Sequence, residues 1–463
     1  MTHKKRYRAV NVKDVDLAAL TLNLAAPVIW VGIDVGKAYL LVVVCVGPGQ
    51  FWRPWRVRKT EQAGLLIQLL TSLAQGRKLV IALEPTGTYG DPLRYALSQA
   101  KLEVQRVPCK ISHDYAEVLD GSPSQLDPKD AAGLAELAMI GKSEPWPWTA
   151  EPDRLVMMRQ LVWAADEQQR ASAQGAGRVE ALLARHWPEA TQTLQLDSTV
   201  LLKALIEYGD PRHLAADPQA AGKLQRWGGT WLEAETIQAL LAGAGSTVGV
   251  PASALERAHL QRSATAALAA QRQLRTTKRE LAQMVPGDEL LEAMAAMVGK
   301  ATACVLRVHL GDPRDYFCRQ AWMKAAGLNL TERSSGQYVG QLKISKRGPA
   351  QVRKWMYLAA LRLVQKAPAA GWFARKRERD RRRGAQGQGV GTIGLVALMR
   401  RLHGAVWEVV NKKRTFEVSR LFRRTRGGRP ALPGSGLPAG VETGTVSAGQ
   451  SEAKIPPTPE LVG

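Results

Sequence analysis

The chain has 463 residues, more than one ordinary compact domain holds, so two or three domains are expected. Hydrophobic residues make up 45%, which excludes wholesale disorder, and 64 Lys and Arg against 41 Asp and Glu leave a formal charge of +23. An excess this large and this clustered points to a polyanionic partner, and favours nucleic acid over a merely basic protein.

The opening MTHKKRYRAV is basic, but NVKDVDLAAL after it carries two acids and no long apolar run. Residues 1–27 therefore read as a basic extension and not as a signal peptide. From residue 28, VIWVGID and YLLVVVCV are strands separated by GKA. The apolar stretch Val28 to Val46 is broken by Asp34 and Lys37, which makes it a buried strand pair and not a membrane span. FWRPWRVR is a third strand with Pro54 as an edge or bulge signal. EQAGLLIQLLTSLAQ reads as a helix, KLVIALE as a strand, DPLRYALSQAK as a helix, LEVQRVP as a strand and PKDAAGLAELAMI as a helix. Residues 28–142 thus predict a mixed sheet covered by helices.

The proline-rich stretch at 143–152 is a candidate linker. Patterns at 153–187 and 252–284 predict two long helices, expected to form an antiparallel coiled-coil arm within a helical region, 153–287. Residues 288–425 predict a third, mostly helical unit with a Ser/Gly-containing loop in its middle. From 426 the chain is rich in Gly, Pro, Ser and Thr, cannot bury a core and is expected to be disordered. The fold class is α/β plus all-α. The four cysteines form no CxxC pair, so neither a disulfide framework nor a zinc ribbon is expected, and a cytoplasmic, nucleoid-associated protein with no membrane partner fits.

Four carboxylates carry the chemistry. Asp34 ends an apolar strand, where an unpaired charge needs a cation or hydrogen bonds. Glu84 ends KLVIALE ahead of the turn PTGTYG. Asp127 and Asp130 in LDPKDA share a helix face if both lie in a first turn. Four acids converging at one end of a sheet can hold two hard divalent cations such as Mg²⁺, with Mn²⁺ able to substitute. Asp127-Pro128-Lys129-Asp130 is also a good helix start, and capping alone would explain both of those acids.

A second group is the loop Ser334-Ser335-Gly336, followed by Lys343, Lys346, Arg347, Arg353 and Lys354 as candidate nucleic-acid contacts. A serine attacks phosphate only when activated, with cations holding the phosphate. A Ser-Ser-Gly loop by itself is usually just a turn. The basic runs RKRERDRRR and RLFRRTRGGR are further candidate phosphate contacts, and Trp52, Trp55, Trp146 and Trp148 are candidate stacking residues, the first pair better read as strand packing.

GIDVGK, EPTGTYG and LDPKDA, in that order, resemble the DEDD-type transposases of a bacterial insertion-sequence family, and residues 297–364 resemble that family's second conserved domain. The resemblance implies an RNase H-like, RuvC-like N-terminal domain and a C-terminal serine transposase domain. It implies that Asp34, Glu84, Asp127 and Asp130 are the metal-binding catalytic acids and that Ser335 is the nucleophile, with Ser334 as the alternative. It implies donor and target DNA as substrates, a noncoding bridge RNA as guide, and a homo-oligomer, dimer or tetramer, whose composite site joins the acids of one subunit to the serine of another. Many relatives open the second domain with a Pro-Gly hairpin. Here AAMVGKATA has Gly299 without the proline, which speaks against a hairpin at 296–303, and Pro349 in KRGP is placed to start the next helix. The competing readings are a Mg²⁺-dependent, structure-selective nuclease of the Holliday-junction type without serine chemistry, and a non-catalytic nucleic-acid-binding protein.

Overall fold

The computed structural model describes residues 8–23, 26–85, 87–116, 127–332, 342–382, 389–413 and 415–422. Ser334, Ser335, Gly336, most of RLFRRTRGGR and the expected disordered tail lie outside the described residues. The chain divides into two compact units, Met1–Asp153 and Arg154–Gly463.

The first unit is mixed α/β. β2 (Val28–Val35) and β3 (Tyr39–Gly47) form an antiparallel hairpin with Asp34 opposite Leu41. β6 (Lys78–Leu83) lies parallel to β2 on its other side, and β7 (Glu103–Arg106) lies parallel to β6. β5 (Trp55–Arg58) pairs antiparallel with β3. The sheet runs β1-β5-β3-β2-β6-β7-β8, with β4 (Gln50–Phe51) also on β3, β1 being Val10–Asn11 and β8 Glu144–Pro145. The expected third strand is split in two, because residues 52–54, ending in Pro54, fall between β4 and β5. Residues 8–23 are part of this unit: Val10 pairs with Trp55, and Val12 and Leu20 are buried in its core.

Both faces of the sheet are covered, which explains why its central strands are nearly continuous apolar runs. On one face Ile29, Ile33, Val42 and Ile81 share a core with Leu66 and Leu70 of one helix, Ala63–Leu73, and Leu97 of another, Asp91–Gln99. On the other, α5 (Asp127–Met139) packs on β2 and β3, with Ala131 and Ala132 against Leu41 and Val43. Between β7 and α5 lies a helix that the sequence pattern did not reveal, α4 (Cys109–Ala116).

The second unit is mostly helical. Its two long helices, Asp153–His186 and Ala254–Gln283, fall where the periodicity places them. They run antiparallel: Arg154 donates to the carbonyl of Met284 at 2.6 Å, while at the other end Val250 N–H donates to the carbonyl of Arg185 at 2.9 Å. Midway, a Cβ on Gly175 would stand 3.0 Å from that of Ala267. A capping box between Ser253 and Glu256 fixes the start of the second helix. The helices of residues 199–245 share a core with Val179, Leu183, Leu260 and Ala264. The helices after residue 288 share another, built on Trp322, Trp355 and Leu402.

Helices Glu289–Val298 and Lys300–Leu310 meet through one residue, Gly299, with φ 86°. The two helices pack on each other across this one-residue turn without the proline, at a positive φ that glycine adopts without steric cost. Pro349 stands immediately before the helix Ala350–Val364, where its missing N–H costs nothing. Among the described residues no helix is long and apolar enough to cross a membrane.

Candidate metal-binding and nucleic-acid sites

Asp34 is the penultimate residue of β2, and Glu84 immediately follows β6. Ile33 is in register with Leu83, so Glu84 continues alongside Asp34 on neighbouring strands about 4.8 Å apart. Asp127 and Asp130 occupy the first turn of α5, where the helix dipole favours negative charge. That turn reaches Asp34 because α5 lies directly on Gly32. A Cβ on Gly32 would stand 1.8 Å from the Ala131 carbonyl oxygen and 2.7 Å from the Ala135 nitrogen. Helix and strand backbones can approach this closely only over glycine.

Asp34 and Asp130 sense the neighbouring acids. Burial, then the charges of Asp127, Asp130 and Glu84, push the Asp34 carboxyl up from the ordinary 3.8 to about 6. Burial, then Asp127 and Glu84, push Asp130 up as well. All donors here are carboxylate oxygens, the set that suits a hard divalent cation. Among the described residues no three His, Cys, Asp or Glu side chains are drawn together tightly enough to enclose a metal ion.

Helix α4 supplies neighbours that the sequence reading missed. Ser112 Oγ lies 2.9 Å from Glu84 Oε2 and 2.9 Å from the Cys109 carbonyl, so its single proton serves one acceptor at a time. Cys109 is pushed up to about 11 by burial and by Glu84, which keeps it a thiol at neutral pH. The charge of His113 acts on Asp130 in the lowering direction. Cys109, Ser112 and His113 stand at i, i+3 and i+4, a helical face that the sequence carries in CKISHDYA. A fifth acid is structural: buried Glu136 accepts from Gly49 N–H at 2.8 Å and from the Tyr115 hydroxyl at 3.0 Å, tying α5 to α4 and to the β3–β4 turn.

In the second unit, β9 (Leu330–Thr331) pairs antiparallel with β10 (Lys343–Ile344), forming the stem that flanks the segment containing Ser334 and Ser335. Lys343, Lys346 and Arg347 are exposed beside it. Gly327 and Gly348 let the KRG segment lie against the end of the helix Arg319–Ala325, since a Cβ on Gly348 would stand 2.3 Å from the Ala325 carbonyl oxygen. The other two candidate contacts are engaged within the protein. Arg353 Nη1 donates to the Gly348 carbonyl at 2.7 Å, and Lys354 pairs with the nearly buried Asp166 at 2.8 Å. Among the candidate stacking residues, Trp55 is buried, Trp52 packs on the core, and the Arg94 guanidinium covers Trp146 and Trp148 at 4.3 and 4.8 Å.

Residues 31–188 match the DEDD transposase family of IS110 elements, and residues 289–374 match the transposase IS116/IS110/IS902 family. The first match contains all four acids; the second contains Ser335 and the stem that flanks it. No curated protein matches the chain significantly.

Proposed function

Because this chain belongs to the IS110 family of DEDD-type transposases, whose substrate is DNA, we propose that it moves its element by metal-assisted cleavage combined with serine chemistry. The observation that carries this reading is the coupling of Asp34 to Glu84, Asp127 and Asp130. Side chains from the neighbouring strand end and from one helix start act on this carboxyl at the end of β2, which capping of α5 by itself does not require. The strand order third-second-first-fourth-fifth, with the first three antiparallel and the last two parallel to the first, supports an RNase H-like fold for β2 to β7.

In this reading the four acids hold two Mg²⁺ ions, which would stabilise the attacking and leaving oxygens of phosphoryl transfer. Ser335 Oγ attacks a DNA phosphate, one strand end leaves as an alcohol and the other stays linked to the serine. Lys343, Lys346 and Arg347 hold the phosphate backbone beside it. A noncoding guide RNA selects the sites by base pairing, and subunits of a homo-oligomer bring acids and serine together.

The test is strand exchange on element-end DNA with Mg²⁺, with protein–DNA adducts resolved by denaturing electrophoresis. Asp34→Ala abolishes cleavage, and Ser335→Ala abolishes both adduct and exchange. Normal exchange by Ser335→Ala and by Ser334→Ala, tested separately, rules out the serine role. Junction cleavage without any adduct would identify a nuclease of the Holliday-junction type instead.

A further inference from the structure

Three helices of the second unit enclose a cavity of about 630 Å³ that none of the preceding chemistry uses. Arg319 comes from the helix Arg319–Ala325, Lys376 and Arg379 from Ala369–Arg382, and Arg400 and Arg401 from Gly389–Lys412. Asp380 is the acid on the wall, and it already holds Lys376. Arg319 pairs outside the wall with Glu408 at 3.1 Å. Among the described residues no carboxylate is paired with Arg379, Arg400 or Arg401.

The backbone and packing hold these cations in place. Arg400 Nε donates to the Leu328 carbonyl at 2.8 Å, and Arg401 stacks over Trp372 at 5.2 Å while donating to the Leu421 carbonyl. Gly404 makes room for Arg319: a Cβ there would stand 2.2 Å from its Nε. Burial and the charge of Arg319 both act to lower the affinity of Arg400 and Arg401 for their protons, and Arg379 adds to this at Arg401. Like charges crowded at a concave, partly desolvated surface cost free energy unless an anion joins them, and guanidinium forks match phosphate oxygens in pairs. Asn329 and Leu330 also line it, where β9 leads into the serine segment.

We propose that this cavity seats a backbone phosphate of the DNA strand that passes the stem of the serine loop. The site rests on the preceding reading for the identity of that strand, and not on the acids of the first unit. A second hollow shares Trp372, Arg379 and Arg401 with the first and adds Arg375, while its Arg382 is held by Glu378 at 3.1 Å, so among the described residues unpaired cations continue from the first hollow along the helix Ala369–Arg382 as far as Arg375.

The test measures binding of full-length protein to labelled duplex DNA and to RNA of equal length, by fluorescence anisotropy over a salt series in EDTA. Arg379 is exposed on its helix, so Arg379→Gln leaves the fold intact, and Arg379→Gln/Arg401→Gln deepens the effect. Arg226→Gln, on an exposed site of the helix Ala220–Gly228, controls for loss of one charge anywhere. DNA affinity is expected to fall about tenfold for Arg379→Gln, with the salt slope reduced by about 0.9 per lost phosphate contact. That loss supports the site whether or not RNA binding also falls. Losses no greater than those of Arg226→Gln, or confined to RNA, overturn it. Because binding is read in EDTA, DNA binding as expected here together with no serine adduct in the separate Mg²⁺ strand-exchange assay would defeat the preceding reading and leave this one standing.

Discussion

A Cβ on Gly32 would stand 1.8 Å from the carbonyl oxygen of Ala131. This contact between strand and helix backbones sets the depth of α5 on the sheet, and with it the reach of Asp127 and Asp130 toward Asp34. Gly32→Ala is therefore expected to lift the helix start away from the strand end. The expected outcome is a loss of about 3 kcal/mol in urea unfolding, from overpacking against backbone, together with loss of Mn²⁺ binding by calorimetry. A variant that keeps wild-type stability and Mn²⁺ affinity would show that the close approach does not set the site.

The raised carboxyl of Asp34 makes the metal-free first unit pH-sensitive. Below about pH 4 the group is protonated in both folded and unfolded chains. Between about 4 and 6 the folded chain keeps a proton that the unfolded chain has released, so stability falls as pH rises through that window. Thermal melts in EDTA should show this decline, Mg²⁺ should cancel it, and Asp34→Asn should remove its share. A decline unchanged in Asp34→Asn would assign it to other groups.

The second unit carries a shift of opposite sign. Burial lowers His403 to about 4; its ring stacks on Trp322 at 4.8 Å, and Nε2 lies 3.2 Å from the Trp322 carbonyl. The unfolded chain binds a proton here that the folded chain refuses, so this contribution is present above about pH 6.5 and is lost as pH falls toward 4. Protection factors of the helix Gly389–Lys412, referred to the intrinsic exchange rate at each pH, should fall over that interval, and flat protection from pH 7 to 4 contradicts the assignment.

Ser112 Oγ lies 2.9 Å from Glu84 Oε2, so it is expected to position that carboxylate. Ser112→Ala should shift the Mg²⁺ midpoint of cleavage upward by about tenfold with the melting temperature unchanged, and Ser112→Thr should restore it. An unchanged midpoint would reduce the hydrogen bond to local structure.

The five cations after the serine segment should separate into two kinds. Arg347→Ala should weaken DNA binding and reduce its salt slope by about 0.9, with no effect on unfolding. Lys354→Ala should leave the slope alone and cost about 1 kcal/mol, because Asp166 keeps only its more exposed partner Arg170 at 3.2 Å. If Lys354→Ala instead changed the salt slope, its pairing with Asp166 would not persist in the DNA complex.

Most of the first unit's elements were legible because they obey local rules. Strands buried on both faces read as apolar runs, and the helix after LDPKDA announces itself by Asp, Pro and a small-residue stripe. Helix α4 was not, since CKISHDYA has no apolar stripe and is held by contacts made through Ser112, Tyr115 and Glu136. At Gly299 a single residue of positive φ joins two helices, a turn that no proline in the sequence announces.

By itself the sequence determined which residue types could do the chemistry and in what order: the acids of GIDVGK, EPTGTYG and LDPKDA, a serine loop and an excess of cations. Tertiary structure alone decided which of them come together. Strand register set Glu84 beside Asp34, the approach over Gly32 brought α5 to both, and helix packing left Arg379 and Arg401 facing a cavity while Arg353 and Lys354 turned inward. The reason is physical. Residue identity fixes charge and hydrogen-bonding capacity, but the cost of an uncompensated charge depends on burial and neighbours, which only the folded chain defines.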